Sequence, residues 1–342
     1  MGKIKFVLTL LIVLECAGCD QHRELIVTSE SKISPEELDR FVRMAKNNLI
    51  FVESGEFLMG DYGVQHGPER LPYDSDKDSK PLHKVELSNF SIDRFKITNK
   101  DFQFYLSYNG LTLRTVDEGN QENWSDISTA PDTPAHLDWY EADRYCSWLA
   151  KISDLPFSLP TEAQWEYAAR SRGQFLMVAT DDGTYKTDRR PSTSNNGPRG
   201  INISTYQDRA DFAKQMGWKT RGLTPLPVDR FPPNPLGLYD MSDNGLEWVK
   251  DWYDPDYYQY SPIKDPQGPA EPVFKGPASN NKYAKVLRGV AYANPQWGGG
   301  VNVHRSYRNP DGYLPSPGAK RDLLFISNKT ARCVVNSTIR VN

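Results

Sequence analysis

Sustained apolar periodicity is confined to four short stretches of this chain, and a cap announces each of them. Ser34-Pro35-Glu36-Glu37 opens the first: Ser34 caps, Pro35 sits in the first turn and Glu37 closes a capping box. Leu38, Phe41, Val42 and Ala45 then share one face. Thr98-x-x-Asp101 caps a second helix lined by Phe102, Tyr105 and Leu106. Asp138 opens a third, with Ala142, Tyr145, Cys146 and Leu149 at the spacing of a buried stripe. Thr161-Glu162-Ala163-Gln164 opens the fourth, Trp165, Ala168 and Ala169 carry it inward, and Gly173 ends it.

Between these helices the pattern is short and irregular. Residues 49–59 predict two short strands around Ser54-Gly55, and 236–252, 286–292 and 331–335 predict extended or irregular segments. No strong period appears from 174 to 235. The 25 Pro and 24 Gly mark many turns, and 8 Trp with 18 Tyr supply the large plugs that an irregular core needs. Apolar residues at 38% and charged residues at 25% fit a globular body. A net charge of -3 provides no broad basic field for nucleic acid, so no nucleic-acid partner is expected.

The first residues read as an export signal. Lys3 and Lys5 form a basic start, and Ile4 to Leu14 is an apolar run too short to span a membrane permanently. Ala17-Gly18-Cys19 resembles the end of a lipobox, with Cys16 where leucine is usual. Residues 1–18 are then a signal peptide and Cys19 the lipidation site, the acyl chains anchoring the protein to a membrane. An ordinary cleaved secretory signal is the other reading. A lipid anchor places the protein in the cell envelope facing the periplasm, and Asp20 resembles an inner-membrane retention signal, a reading that holds for an enterobacterial-like host. Residues 19–33 form a polar tether and 34–48 the N-terminal helix, either packed on the body or standing as a stalk. Nothing from 49 to 338 marks a domain boundary.

Several ordered blocks resemble the formylglycine-generating enzyme, or sulfatase-modifying factor, family. They are Gly55-Glu56-Phe57-Leu58-Met59-Gly60, Phe95-Lys96-Ile97-Thr98-Asn99, Asp138 to Leu149, Leu159 to Arg170, Pro233 to Met241, Asn244 to Val249, Arg288-Gly289 and Ala331-Arg332-Cys333. The resemblance implies one α+β domain with a C-type-lectin-like core and much irregular structure. It also implies a disulfide between Cys146 and Cys333; two buried free thiols are the other reading of that pair.

The family oxidises a substrate cysteine to formylglycine with two cysteines that hold copper. Here the corresponding segment reads Val303-His304-Arg305-Ser306-Tyr307-Arg308, and Val303 and Arg308 take the places of the cysteines. Neither side chain ligates copper or exchanges a disulfide. His304, Arg305, Tyr307 and Arg308 are left as a degenerate cleft, in which Arg305 and Arg308 read foremost as a structural remnant of an Arg-Ser-x-Tyr-Arg pattern that many family members carry. A related branch binds non-haem iron through histidines, but the five histidines here, His22, His66, His83, His136 and His304, form no paired motif. No cofactor is expected; the resemblance offers Asn244 and Glu247 for a structural calcium, a capped turn with no ion being the other reading, and Asp243, where the family has glycine, either adds charge to that site or distorts it.

The resulting expectation is a non-catalytic envelope lipoprotein that binds a periplasmic or secreted protein, in an accessory, assembly or toxin-immunity role. Its variable loops, 174–225 and 254–282, are the expected carriers. An oxidase or other enzyme with an altered site, and a glycan-binding module, are the alternatives.

Overall fold

The computed structural model describes residues 33–113, 118–187, 202–220, 224–292, 301–314, 323–324 and 327–341. Helix α1 (Pro35–Asn47) begins with the anticipated box: Glu37 N donates to Ser34 Oγ at 3.2 Å and Ser34 N donates to the Glu37 carboxylate at 2.8 Å. Its Phe41 stacks on Phe104 with ring centroids 4.2 Å apart and lies 5.5 Å from Trp148. The helix is therefore packed on the body and is not a free stalk.

Strands β1 (Leu49–Val52) and β2 (Gly55–Met59) follow, then the single turn α2 (Gly63–His66), β3 (His83–Leu87) and β4 (Phe90–Asp93). Helices α3 (Asn99–Tyr108), α4 (Glu118–Thr129) and α5 (Trp139–Ser153) lead to β5 (Phe157–Ser158), α6 (Glu162–Ala169) and α7 (Tyr206–Met216). The chain ends in β6 (Leu246–Trp252), β7 (Lys285–Arg288), β8 (Arg305–Arg308), β9 (Tyr313–Leu314), β10 (Leu323–Leu324), β11 (Lys329–Thr330) and β12 (Val334–Val335). One four-stranded sheet has the order β1-β4-β12-β5 and another β11-β6-β7-β8, while β2-β3 and β9-β10 form separate pairs. Mixed, short and largely antiparallel pairings make this the α+β architecture expected from the sequence.

The organising element is α6. Each of its eight residues is buried, including Glu162, Gln164 and Glu166. It packs between the β2-β3 hairpin and the β6-β7 face, with Trp165 fully enclosed. The chain leaves it through Ser171, Arg172 and Gly173, all at positive φ. Gly173 is required there: a Cβ would stand 2.2 Å from Phe57 Cβ.

Two helices lie where the sequence showed no period, α4 and α7. The second carried a cap signal of the kind used at Thr98, because Thr205 N donates to Asp208 Oδ2 at 2.8 Å and Asp208 N to Thr205 Oγ1 at 3.3 Å. Its weak apolar stripe, not its cap, hid it.

Cys146 of α5 and Cys333, just before β12, are joined in a disulfide, with Cα atoms 5.7 Å apart across 187 residues of sequence. The free-thiol alternative does not hold. Closing so long a loop reduces the entropy of the unfolded chain by an amount equivalent to roughly 5 kcal/mol in the chain-entropy picture. The Cys146→Ala/Cys333→Ala double variant is expected to lose about 3–5 kcal/mol in urea unfolding. A loss below about 1 kcal/mol would show that the bridge constrains little.

Candidate functional site

The segment 303–308 enters the fold as the end of a loop followed by β8, antiparallel to β7 with Arg305 opposite Arg288 and Arg308 opposite Lys285. Val303, at 0% exposure, packs in an apolar cluster with Tyr62 and Val301, bordered by Tyr73, Leu82 and Met177. It is a core residue.

Arg305 is buried and forked onto Glu162, Nε to Oε1 at 2.7 Å and Nη2 to Oε2 at 3.0 Å. Its Nη1 donates to the carbonyls of Asp78 at 2.7 Å and Asp254 at 3.2 Å, and its guanidinium lies over Tyr258 and Tyr253. Glu162 also accepts Arg288 Nη1 at 2.7 Å; Arg288 Nη2 reaches Glu166 Oε2 at 2.7 Å, and Glu166 Oε1 accepts Arg170 Nη1 at 2.8 Å. Three arginines and two glutamates thus alternate along one side of α6, inside the protein. Burial opposes the charge on Glu162, but Arg305 and Arg288 override it and hold its carboxyl below the ordinary glutamate value.

His304 points elsewhere. Its Nδ1 lies 3.3 Å from Asp74 Oδ2 and its Nε2 3.4 Å from Ser306 Oγ, with 43% of its side chain exposed. The hydrogen bond to Asp74 outweighs burial and raises the imidazole pKa above its ordinary value of 6.5. Tyr307 stacks on Tyr253 at 4.5 Å and meets Phe274 edge-on at 5.1 Å. Arg308 donates to Tyr307 O at 2.7 Å and lines a separate hollow with Asn309, Asp311 and Lys329. Arg305 and Tyr307 therefore meet at Tyr253, while His304 and Arg308 lie in separate surroundings. Strand alternation turns Arg308 away from Arg305 and Tyr307, which share a face of β8. A cavity of about 380 Å³ lies between α1 and the body, bordered by Phe41, Phe95, Asp93 and Asp101, away from all four.

Among the described residues, one group has donors close enough to hold a metal ion: Asp74, Asp76 and His304, whose ligand atoms lie within 4.8 Å of one another. Two carboxylates and an imidazole suit a divalent transition ion or zinc. The Lys80 ammonium runs behind the loop, donating to the carbonyls of Asp74 and Asp76 at 2.7 Å each.

The residues named for calcium do not fit that ion. Both oxygens of Glu247 are engaged by cations, Oε2 by Arg332 Nε at 2.6 Å and Oε1 by Arg332 Nη2 at 2.9 Å and Lys96 Nζ at 3.0 Å. Asn244 Oδ1 accepts Leu226 N at 2.9 Å and lies 3.5 Å from Arg209 Nη1. Asp243, in place of glycine, binds the Arg209 guanidinium. Cys19, the lipid site read from the sequence, lies outside the described residues.

Comparison with known proteins agrees with this architecture. The Sulfatase-modifying factor enzyme 1-like domain family matches residues 34–314, and the chain belongs to that family. Formylglycine-generating enzyme of Streptomyces coelicolor is 29% identical over 276 residues, covering 70% of this chain and 76% of the relative. Serine/threonine-protein kinase pkn1 of Chlamydia caviae is 30% identical over 242 residues, 66% of this chain but 32% of the relative. The chain thus spans about a third of that kinase's length. PvdO from Pseudomonas aeruginosa shares the fold, with a TM-score of 0.53 at 22% identity over 84% of this chain and 93% of that one.

Removing one member of a buried ion ladder strands its partners. Glu162→Gln leaves Arg305 and Arg288 short of a counter-charge and is expected to cost about 3–5 kcal/mol in denaturant unfolding. Because the folded-state pKa of Glu162 is depressed, its contribution is present above the ordinary glutamate value of 4.5 and is lost as pH falls through the folded value. Wild-type stability should therefore fall on acidification more steeply than that of Glu162→Gln. His304 has the opposite sign: its ion pair stabilises below pH 6.5 and is lost as pH rises through the raised folded pKa. An NMR titration should find His304 above 6.5 in the wild type and lower in Asp74→Asn; equal midpoints would contradict the pairing.

Proposed function

We propose that this chain is a lipid-anchored envelope protein whose formylglycine-generating-enzyme-like domain binds a protein partner and does not form formylglycine. The observation that carries the reading is the fate of the thiol positions. Val303 is sealed in an apolar cluster, Arg308 faces another hollow, and Cys146 and Cys333 are committed to the disulfide. No described side chain supplies the thiolate pair that copper and mixed-disulfide chemistry need. The mouse protein named "Inactive C-alpha-formylglycine-generating enzyme 2", 27% identical over 60% of this chain and 70% of its own, is a family member that its name describes as inactive. The lipobox-like Ala17-Gly18-Cys19 supports the anchor. Among the described residues no helix is long and apolar enough to cross a membrane.

The face that supports contact lies around α2. Val64, Leu71 and Phe175 are exposed there, Leu71 at 63% and Phe175 at 48%, with Phe175 stacked on His66 and tilted against Tyr62. Tyr62 also belongs to the apolar cluster that encloses Val303. Large apolar groups over a rigid base are what interface anchors require. Tyr206 and Met216 of the first expected loop, and Tyr260, Ile263 and Val273 of the second, are exposed as well.

Two measurements test the reading. Incubation with copper and a cysteine-containing sulfatase peptide should leave the peptide unmodified; a formylglycine-bearing product would overturn the proposal. Leu71→Asp/Phe175→Asp should keep the wild-type melting temperature while losing a stoichiometric partner recovered by crosslinking from envelope extracts. Retention of that partner at wild-type yield would remove this face from the reading.

A second reading, metal-assisted chemistry at a new place, is favoured by the Asp74-Asp76-His304 group. It requires a stoichiometric transition metal or zinc in elemental analysis of the purified protein, lost in His304→Ala. Metal-free protein that takes up none would eliminate it.

A further inference from the structure

The turn that leads into β6 gathers carboxylates in the interior. Asp243 and Glu247 are buried, and Asp240, four residues before Asn244, is half-buried with its Oδ2 accepting Asn244 Nδ2 at 2.9 Å. Left alone, such a group of charges would be costly. Three side chains from distant parts of the chain answer it. Arg332 forks onto Glu247, and Arg209 binds Asp243 while donating to Thr224 O at 2.7 Å.

Lys96 is the third. Its side chain has no exposure, and its ammonium donates to Gly245 O at 2.7 Å and Glu247 Oε1 at 3.0 Å, with Thr330 Oγ1 at 3.5 Å. Asp240 and Arg332 add their fields from the same turn and from Glu247's other side. A backbone carbonyl, a carboxylate and a hydroxyl around one point are donors of the kind that hold a hard cation. Here the point is occupied by the tip of a lysine. Asp243 and Glu247 are thus paired with cations of the chain itself, Arg209, Arg332 and Lys96, while burial pushes the Asp240 carboxyl up to about 7 and its partner is the Asn244 amide.

We infer that Lys96 is a built-in counter-cation that takes the place of a metal ion at this turn, so that the domain folds independently of divalent cations. The inference does not rest on whether the chain binds a partner. Its physical basis is the position of the nitrogen. An ammonium within hydrogen-bonding distance of Gly245 O and Glu247 Oε1 excludes a calcium ion from the same oxygens, both by volume and by repulsion. Covalent attachment also makes the cation independent of its concentration in solution, unlike a bound ion.

The test uses the whole exported chain. Wild-type protein should melt within about 1 °C of the same temperature in EDTA and in millimolar calcium, and elemental analysis should find no calcium retained after desalting. Lys96→Ala empties the space beside Glu247. It should melt roughly 10 °C lower in EDTA and recover part of that loss when calcium is added. Lys96→Met, which fills the space without a charge, should melt lower and show no recovery. A wild-type protein that gains several degrees with calcium, or that keeps one calcium per chain, overturns the inference. So does an alanine variant that melts like the wild type or ignores calcium. If the alanine variant fails to fold, the two wild-type measurements decide the matter.

Discussion

The rest of the structure depends on the alternation of Arg305, Glu162, Arg288, Glu166 and Arg170 along α6. A helix buried on every side would ordinarily be apolar throughout. This one carries glutamates inward, and each is matched by a guanidinium from another part of the chain. The polarity of the helix assists: Glu162 sits at its N-terminal end and Arg170 caps its C-terminal end, as the peptide dipoles favour. Such pairs are weak evidence of net stability against an apolar core of the same shape, but they are intolerant of losing one member.

Their larger role concerns the backbone. A fold with short strands and long irregular connections buries many carbonyls that no ladder satisfies. Guanidinium groups present five donors in a fixed fork, and here they meet those carbonyls directly. Arg170 serves Leu58 and Gln174, Arg305 serves Asp78 and Asp254, and Arg332 serves Asp93, Arg94 and Tyr239. Lys96 and Lys285 do the same for Gly245 and Lys250. Buried cations thus hold irregular loops in place where hydrogen-bonded strands would do so in a more regular protein.

That arrangement also determines what remains for function. Arg305 belongs to the framework and is unavailable to a ligand, and Val303 contributes to a core cluster. Near this segment His304 and Asp76 still reach solvent beside the buried Asp74, as do the apolar residues over α2. Contact and ion coordination are the chemistries such groups support.

The local signals in the sequence were sufficient for the capped helices at Ser34, Thr98, Asp138 and Thr161, because capping boxes and apolar stripes act over a few residues. Block order was sufficient for the family, and the loss of both thiols was plain at Val303 and Arg308. The helix after Thr205 was concealed by its weak stripe, although its cap was present in the same form as at Thr98. Charges gave no such guidance. The family resemblance marked Glu247 and Asn244 as metal ligands, and nothing in their neighbourhood of sequence reveals Lys96, Arg209 or Arg332, which stand 35 or more residues away. Likewise the sequence read Arg305 as a structural remnant without naming its partner, which is Glu162, 143 residues earlier. Caps, turns and patterns are short-range properties that the sequence by itself determines. Which charge neutralises which, and so whether a polar residue is framework or site, depends on through-space distance, and only the tertiary structure decides that.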